Sequence, residues 1–153
     1  MNMLIVLCAK YLFVASVAIY LAYAAHLWQK TPEKLKKFIF LSLGSFGLAY
    51  LVAKITGHFF YNPRPFVVDH LAPLIAHAAN NGFPSDHMLL TMAIASVVYL
   101  YSKKWGIVLV LVAVVVGAAR VLARVHHVED IVGSAVIALF STYLVNAVAK
   151  RFS

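Results

Sequence analysis

Five long apolar runs, separated by shorter polar stretches, set the pattern of this chain. A hydrocarbon core of about 30 Å is crossed by roughly 20 helical residues. On that ruler the predicted spans run from about Leu4 to Trp28, Phe38 to Thr56, Asp86 to Tyr101, Trp105 to Ala123 and Asp130 to Ala149. The third is short, which is tolerable where protein rather than lipid surrounds the loops at its ends. Ala22-Tyr23-Ala24 resembles a signal-peptidase site, but no basic segment precedes the run and Lys10 lies inside it, so the first span is expected to be retained. The expected fold is all-α: a polytopic membrane helix bundle forming one domain over residues 1–153, with no Gly/Ser linker or internal repeat to divide it.

Composition agrees with that solvent. Hydrophobic residues make up 63% of the chain and charged residues 12%, with a mean hydropathy of +0.88; an ordinary soluble domain is far less apolar. Cys8 is the single cysteine, so disulfides and cysteine-rich metal sites are excluded. The net charge of +8 would suggest nucleic acid in a soluble protein, but the placement of the lysines argues otherwise. Lys30, Lys34, Lys36, Lys37, Lys103, Lys104, Lys150 and Arg151 all fall on one side of the predicted bundle. The positive-inside rule makes that side cytoplasmic, where these cations meet anionic headgroups. A plasma-membrane location follows, with the N-terminus outside, the C-terminus inside and no nucleic-acid partner.

Three polar islands remain, and the topology brings them to the opposite, outward face. Asn62-Pro63-Arg64-Pro65 follows the second span, Pro84-Ser85-Asp86-His87 opens the third, and Arg120, His126 and Asp130 join the fourth to the fifth. Ionisable groups at membrane depth are costly and usually functional. Arg64 and Arg120 are permanently charged forks suited to phosphate. Ser85 stands where a proline turn becomes a helix, so its hydroxyl and the first free amides can cradle the same anion. His126 and Asp130 are four residues apart, a spacing at which a helical carboxylate can hold an imidazole in one tautomer and raise its basicity. His127 lies within the same reach of Asp130, so spacing alone leaves two candidate nucleophiles. His87 supplies a second imidazole able to protonate a leaving oxygen. His26, His58, His70 and His77 are read as interfacial or backbone-bonded, Arg124 and Glu129 as a surface ion pair, and Asp86 as a helix cap.

Taken together, Arg64-Pro65, Pro84-Ser85-x-His87 and Arg120-x5-His126-x3-Asp130 resemble the three-part signature of the type 2 phosphatidic acid phosphatase superfamily. The strings GHFFYNPRPF and GFPSDH are most similar to the branch containing bacterial undecaprenyl pyrophosphate phosphatases. The resemblance covers about Lys54 to Asp130. It implies a hydrolase that needs neither metal nor other cofactor and acts on a phosphorylated lipid. Arg64, Ser85 and Arg120 would bind the phosphoryl group, His126 would attack it, Asp130 would orient His126, and His87 would protonate the leaving group. Two positions depart from the signature. Gly57 stands where the family usually has lysine, leaving Lys54, one helical turn earlier, as the candidate phosphate ligand; Ala119 precedes Arg120 where a serine is common. A transporter or proton relay would instead spread ionisable groups through the membrane depth. A metallohydrolase would need more ligands than His126, His127 and Asp130 supply.

Overall fold

A computed structural model describes residues 2–151. Its helices are α1 (Asn2–Lys30), α2 (Pro32–Phe59), the short α3 (Pro65–Val68), α4 (Asp86–Tyr101), α5 (Lys103–Leu122) and α6 (Val128–Arg151). Among the described residues there is no strand, only an isolated antiparallel bridge between Pro63 and Asn81. Four helices are long and apolar enough to cross a membrane; α4, with 16 residues, is the shorter fifth.

The short α4 occupies the centre, touching α1, α2, α5 and α6. Its burial is nearly all-round, from Met88 and Leu89 through Ala95 to Val97 and Val98. A helix covered by protein on every side does not have to match the hydrocarbon thickness by itself. The outer helices present Phe40, Leu43, Leu111 and Tyr143 outward. So much exposed apolar surface is unusual in water and ordinary in lipid. Inside, Ser96 on α4 and Thr142 on α6 share a buried hydroxyl contact of 2.7 Å, the kind of polar tie worth about 0.6 kcal/mol between membrane helices.

One boundary differs clearly from the sequence expectation. Helix α2 begins at Pro32, not Phe38, because proline is compatible with a first helical turn and Thr31 alone breaks the chain after α1. The charged stretch after it is therefore helical, with Lys36 and Glu33 paired one turn apart at 3.0 Å. At the other end of the bundle, the long segment between α2 and α4 folds back over the helix ends. Its Ile75 is buried in a small second core with Ala9, Ala119, Ala123 and Val125, and Leu74 N–H donates to the Ala123 carbonyl at 3.1 Å. That packing fixes the loop beside the α5–α6 turn.

Candidate active site

The end of α2, the start of α4, the end of α5 and the start of α6 meet under this loop. Arg64, Ser85, Arg120, His126 and Asp130 are all buried there. His126 sits at the centre, in the turn between α5 and α6. Its Nε2 lies 3.3 Å from Arg64 Nη1 and 3.3 Å from Arg120 Nη2. A guanidinium can only donate, so Nε2 must offer a lone pair and the ring proton belongs on Nδ1. Two acceptors stand at that nitrogen: the Gly82 carbonyl at 2.9 Å and Asp130 Oδ2 at 3.4 Å. The tautomer thus follows from partners on both sides of the ring.

Asp130 is itself fully enclosed and held. Asn62 Nδ2 donates to its Oδ1 at 2.8 Å, and the His127 backbone N–H donates to its Oδ2 at 2.8 Å. The carboxylate therefore has little freedom to rotate. Gly82 shares the constraint: a Cβ on it would meet Asp130 Oδ2 at 2.9 Å and the Asn62 carbonyl at 3.0 Å. Only a residue without a side chain lets the backbone bring its carbonyl this close to His126.

His126 and His127, equivalent by spacing, separate in space. The His127 ring turns away and its Nε2–H donates to the Pro63 carbonyl at 3.1 Å. Only His126 faces the two arginines.

Arg64 is oriented from several directions. Its Nε donates to Asn80 Oδ1 at 3.0 Å, Nη1 to the Val125 carbonyl at 2.7 Å and Nη2 to the Asn81 carbonyl at 3.1 Å. Asn81 in turn ties the loop to the end of α2. Its side-chain oxygen accepts from the Asn62 and Phe83 N–H groups, and its amide donates to the Gly57 and Phe60 carbonyls. Arg120 reaches α1 through the Ala9 carbonyl at 3.3 Å and the loop through His77 Nε2 at 3.1 Å. Among the described residues, Arg120 Nε and Ser85 Oγ are buried without a hydrogen-bond partner. Ser85 caps α4 through its carbonyl, which accepts from the Leu89 N–H at 2.9 Å, and its own N–H donates to Ser134 Oγ at 2.7 Å, while Asp86 lies in the first turn. His87 is half-buried beside the cluster, its ring edge-on to Phe13 at 4.8 Å.

The electrostatics follow from burial among cations. Burial pushes His126 below the ordinary imidazole value; its hydrogen bond to the Asp130 carboxylate opposes this, and Arg120 and Arg64 reinforce the lowering. His77 is lowered to about 4, first by burial and then by Arg64 and Arg120. Burial also lowers Arg64, with Asp130 and Asp86 opposing. Both histidines are therefore neutral near pH 7, beside guanidiniums that remain charged.

Lys54 is not brought to this cluster. It is exposed on α2 with its Nζ 5.2 Å from the centre of the Tyr50 ring, lining a cleft that Asp86 also borders. The family's usual lysine position, Gly57, packs against the Phe83 carbonyl, 3.0 Å from where a Cβ would lie. Arg124 does not pair with Glu129 among the described residues; its Nη1 reaches the Ala72 carbonyl at 3.5 Å instead. Asn80, Asn81, Gly82 and His77 are the members that sequence reasoning missed, and Asn62 stood in the first polar island without an assigned role. Asn80-Asn81-Gly82 reads as turn chemistry, and His77 reads as one of several isolated histidines.

The sequence pattern of the PAP2 superfamily matches residues 38–153. Similar relatives include the undecaprenyl-diphosphatase BcrC of Bacillus subtilis, 31% identical over 145 residues covering 94% of this chain and 72% of that protein. The bacitracin transport permease protein BcrC of Bacillus licheniformis is 29% identical, over 82% of this chain and 63% of the relative. The putative undecaprenyl-diphosphatase YbjG of Escherichia coli is 31% identical, over 74% of this chain and 57% of the relative. The chain thus spans between 57% and 72% of the lengths of these relatives. Among solved structures, that of Aquifex aeolicus LpxE superposes with a TM-score of 0.78 at 20% identity, covering 96% of this chain and 87% of the other. The first transmembrane PAP2 type phosphatidylglycerolphosphate phosphatase from Bacillus subtilis superposes with a TM-score of 0.62 at 20% identity, covering 99% and 85%. At that identity the likeness speaks to the fold.

Proposed function

The chain belongs to the PAP2 superfamily, and from that premise we propose that it removes the terminal phosphate of a polyprenyl diphosphate, undecaprenyl diphosphate in particular, at the outer face of the plasma membrane. The observation that carries this reading is the His126 Nε2 lone pair held between two guanidiniums. A phosphoryl group seated on Arg64 and Arg120 stands in front of that nitrogen, with the buried Ser85 hydroxyl as a further donor.

In the proposed reaction Nε2 attacks the terminal phosphorus and the bond to the bridging oxygen breaks. The lipid monophosphate leaves, its former bridging oxygen taking a proton from His87. The Gly82 carbonyl and Asp130 stabilise the Nδ1–H of the phosphohistidine. Water, deprotonated by His87, then attacks phosphorus and releases inorganic phosphate and free His126. Little covalent assistance is required beyond positioning and cationic stabilisation of the spreading charge.

The Bacillus subtilis relative named undecaprenyl-diphosphatase, matched along 94% of this chain, supports the substrate class. The transporter alternative fits less well, because the buried ionisable groups gather at one end of the bundle. Eight cations at the opposite end support a cytoplasmic C-terminus and an outward site.

The test is phosphate release from a panel of purified lipids, including phosphatidylglycerophosphate, diacylglycerol pyrophosphate and phosphatidic acid, with His126→Ala as blank. Turnover is expected to persist in EDTA and to be fastest on the polyprenyl diphosphate. Preference for a glycerolipid overturns the substrate, and no turnover of any phosphorylated lipid by stable protein overturns the enzyme.

A further inference from the structure

The end of the bundle away from His126 holds a cleft of about 810 Å³ between α2 and α6, closed at one side by Tyr101 of α4. The two helices cross at Gly44 and Val145, where a Cβ on the glycine would come within 2.9 Å of the valine. The cleft runs along them from that region towards the lysine-rich end. Its walls are apolar, with Phe40 and Leu144 among them. Lys36, Lys37 and Lys150 form its rim, and Asn146 adds a side-chain amide. Among the described residues no acidic side chain lines it. Glu33 is nearby but pairs with Lys36 at the surface, which leaves Lys37 and Lys150 as the cations facing a guest.

We propose that this cleft is a binding site for an anionic phospholipid of the leaflet opposite the active site, with its headgroup phosphate on Lys37 and Lys150 and an acyl chain along Phe40 and Leu144. Free phosphate would leave the apolar walls unfilled. A neutral lipid would leave the cationic rim unmatched. A second copy docking isologously would set the same lysines against one another. A lysine near a membrane surface is worth about fivefold in affinity for an anionic lipid, so two rim lysines favour phosphatidylglycerol over phosphatidylcholine well beyond bulk composition. A lipid seated here clamps α2 to α6, the helices whose far ends carry the Asn81 anchor points and Asp130.

The experiment is reconstitution of the full chain in phosphatidylcholine vesicles containing phosphatidylglycerol as the minor component, mild extraction, and mass-spectrometric counting of the lipid that stays bound. Wild type is expected to retain phosphatidylglycerol enriched about fivefold or more over the bilayer ratio. The double variant Lys37→Gln/Lys150→Gln should fall towards the bilayer ratio. Leu144→Trp, which fills the cleft and keeps the lysines, should lose the retained lipid as well. Gel filtration and circular dichroism verify that each variant folds, so the readout is independent of any enzymatic turnover. Retention at the bilayer ratio by wild type, unchanged retention in the lysine variant, or unchanged retention in Leu144→Trp each overturns the site. The last result would reduce it to diffuse attraction by surface lysines.

Discussion

The two ends of the bundle both carry cations, but the cations live under opposite conditions. At the His126 end, Arg64 and Arg120 are buried and each is held by three or more acceptors. At the other end, Lys36, Lys37, Lys103, Lys104 and Lys150 are exposed or half-exposed on flexible stems. Burying a charge is tolerable only where hydrogen bonds replace water, so the fold commits backbone carbonyls, asparagine amides and histidine nitrogens to the arginines. The lysines require no such investment. A permanent guanidinium with a rigid fork suits a site that must hold geometry; a hydrated ammonium suits a membrane surface. Number of partners, more than charge, separates the chemical end from the anchoring end.

The strongest way to break this comparison is to exchange one group from each end. His126→Ala is expected to reduce lipid phosphate release by about 10⁴-fold or more, because in the proposed reaction it removes the nucleophile itself. Lys104→Gln should leave the rate unchanged. Comparable losses from both in the same phosphate-release assay would show that the ends are not functionally distinct.

Next in size is the fork. Arg64→Lys and Arg120→Lys retain charge but cannot reproduce the several hydrogen bonds each guanidinium makes. Each should lower kcat by about 10²–10³-fold, whereas Lys37→Arg should change nothing. Rates within a few-fold of wild type for either active-site lysine variant would mean that charge alone is needed, and the geometric argument would fail.

A finer test concerns Asn62. Burial and the arginines hold His126 below its ordinary value, so the nitrogen proposed to attack stays unprotonated as pH falls through the usual imidazole range near 6.5. The acid limb of kcat/KM should therefore lie below that value. Asn62→Ala removes a donor from Asp130, which makes the carboxylate a stronger partner for His126. The imidazole value then rises, and the acid limb moves up together with a loss of about tenfold in rate. A rate loss without movement of the limb would assign Asn62 to loop packing alone.

What could be read from sequence divides along the same line. Arg64, Ser85, His87, Arg120, His126 and Asp130 stood out because charge and polarity within apolar runs are conspicuous, and the helix order brings them to one end. The extent of α4 was legible too, since Pro84-Ser85-Asp86 opens and Lys103-Lys104 follows a mostly apolar run. The groups that orient these residues were hidden. The Gly82, Val125 and Asn81 acceptors are backbone carbonyls, which every residue possesses. Asn62 and Asn81 meet partners 68 and 24 residues away, and no local periodicity reports such distances. The early start of α2 was hidden for another reason: a proline and a run of charges mark the edge of the hydrocarbon, not the edge of the helix.

The smallest predicted effect concerns Lys54, which tests where the boundary between the two kinds of cation falls. It lies on α2 towards the His126 end, yet it resembles the anchoring lysines: exposed, over the Tyr50 ring at 5.2 Å, with no hydrogen bond joining it to Arg64, Ser85 or Arg120. Its cleft is shared with Asp86, the residue that follows Ser85, so the cleft adjoins the phosphate seat proposed above. On the geometry of the free chain, Lys54→Ala should cost less than about fivefold in kcat/KM, the scale of an exposed ionic contact, with kcat unchanged. A loss of the size expected for Arg64→Lys, confined to kcat, would instead make Lys54 part of the transition-state cradle. The cation absent at Gly57, where a Cβ would stand 3.0 Å from the Phe83 carbonyl, would then be supplied from one helical turn away.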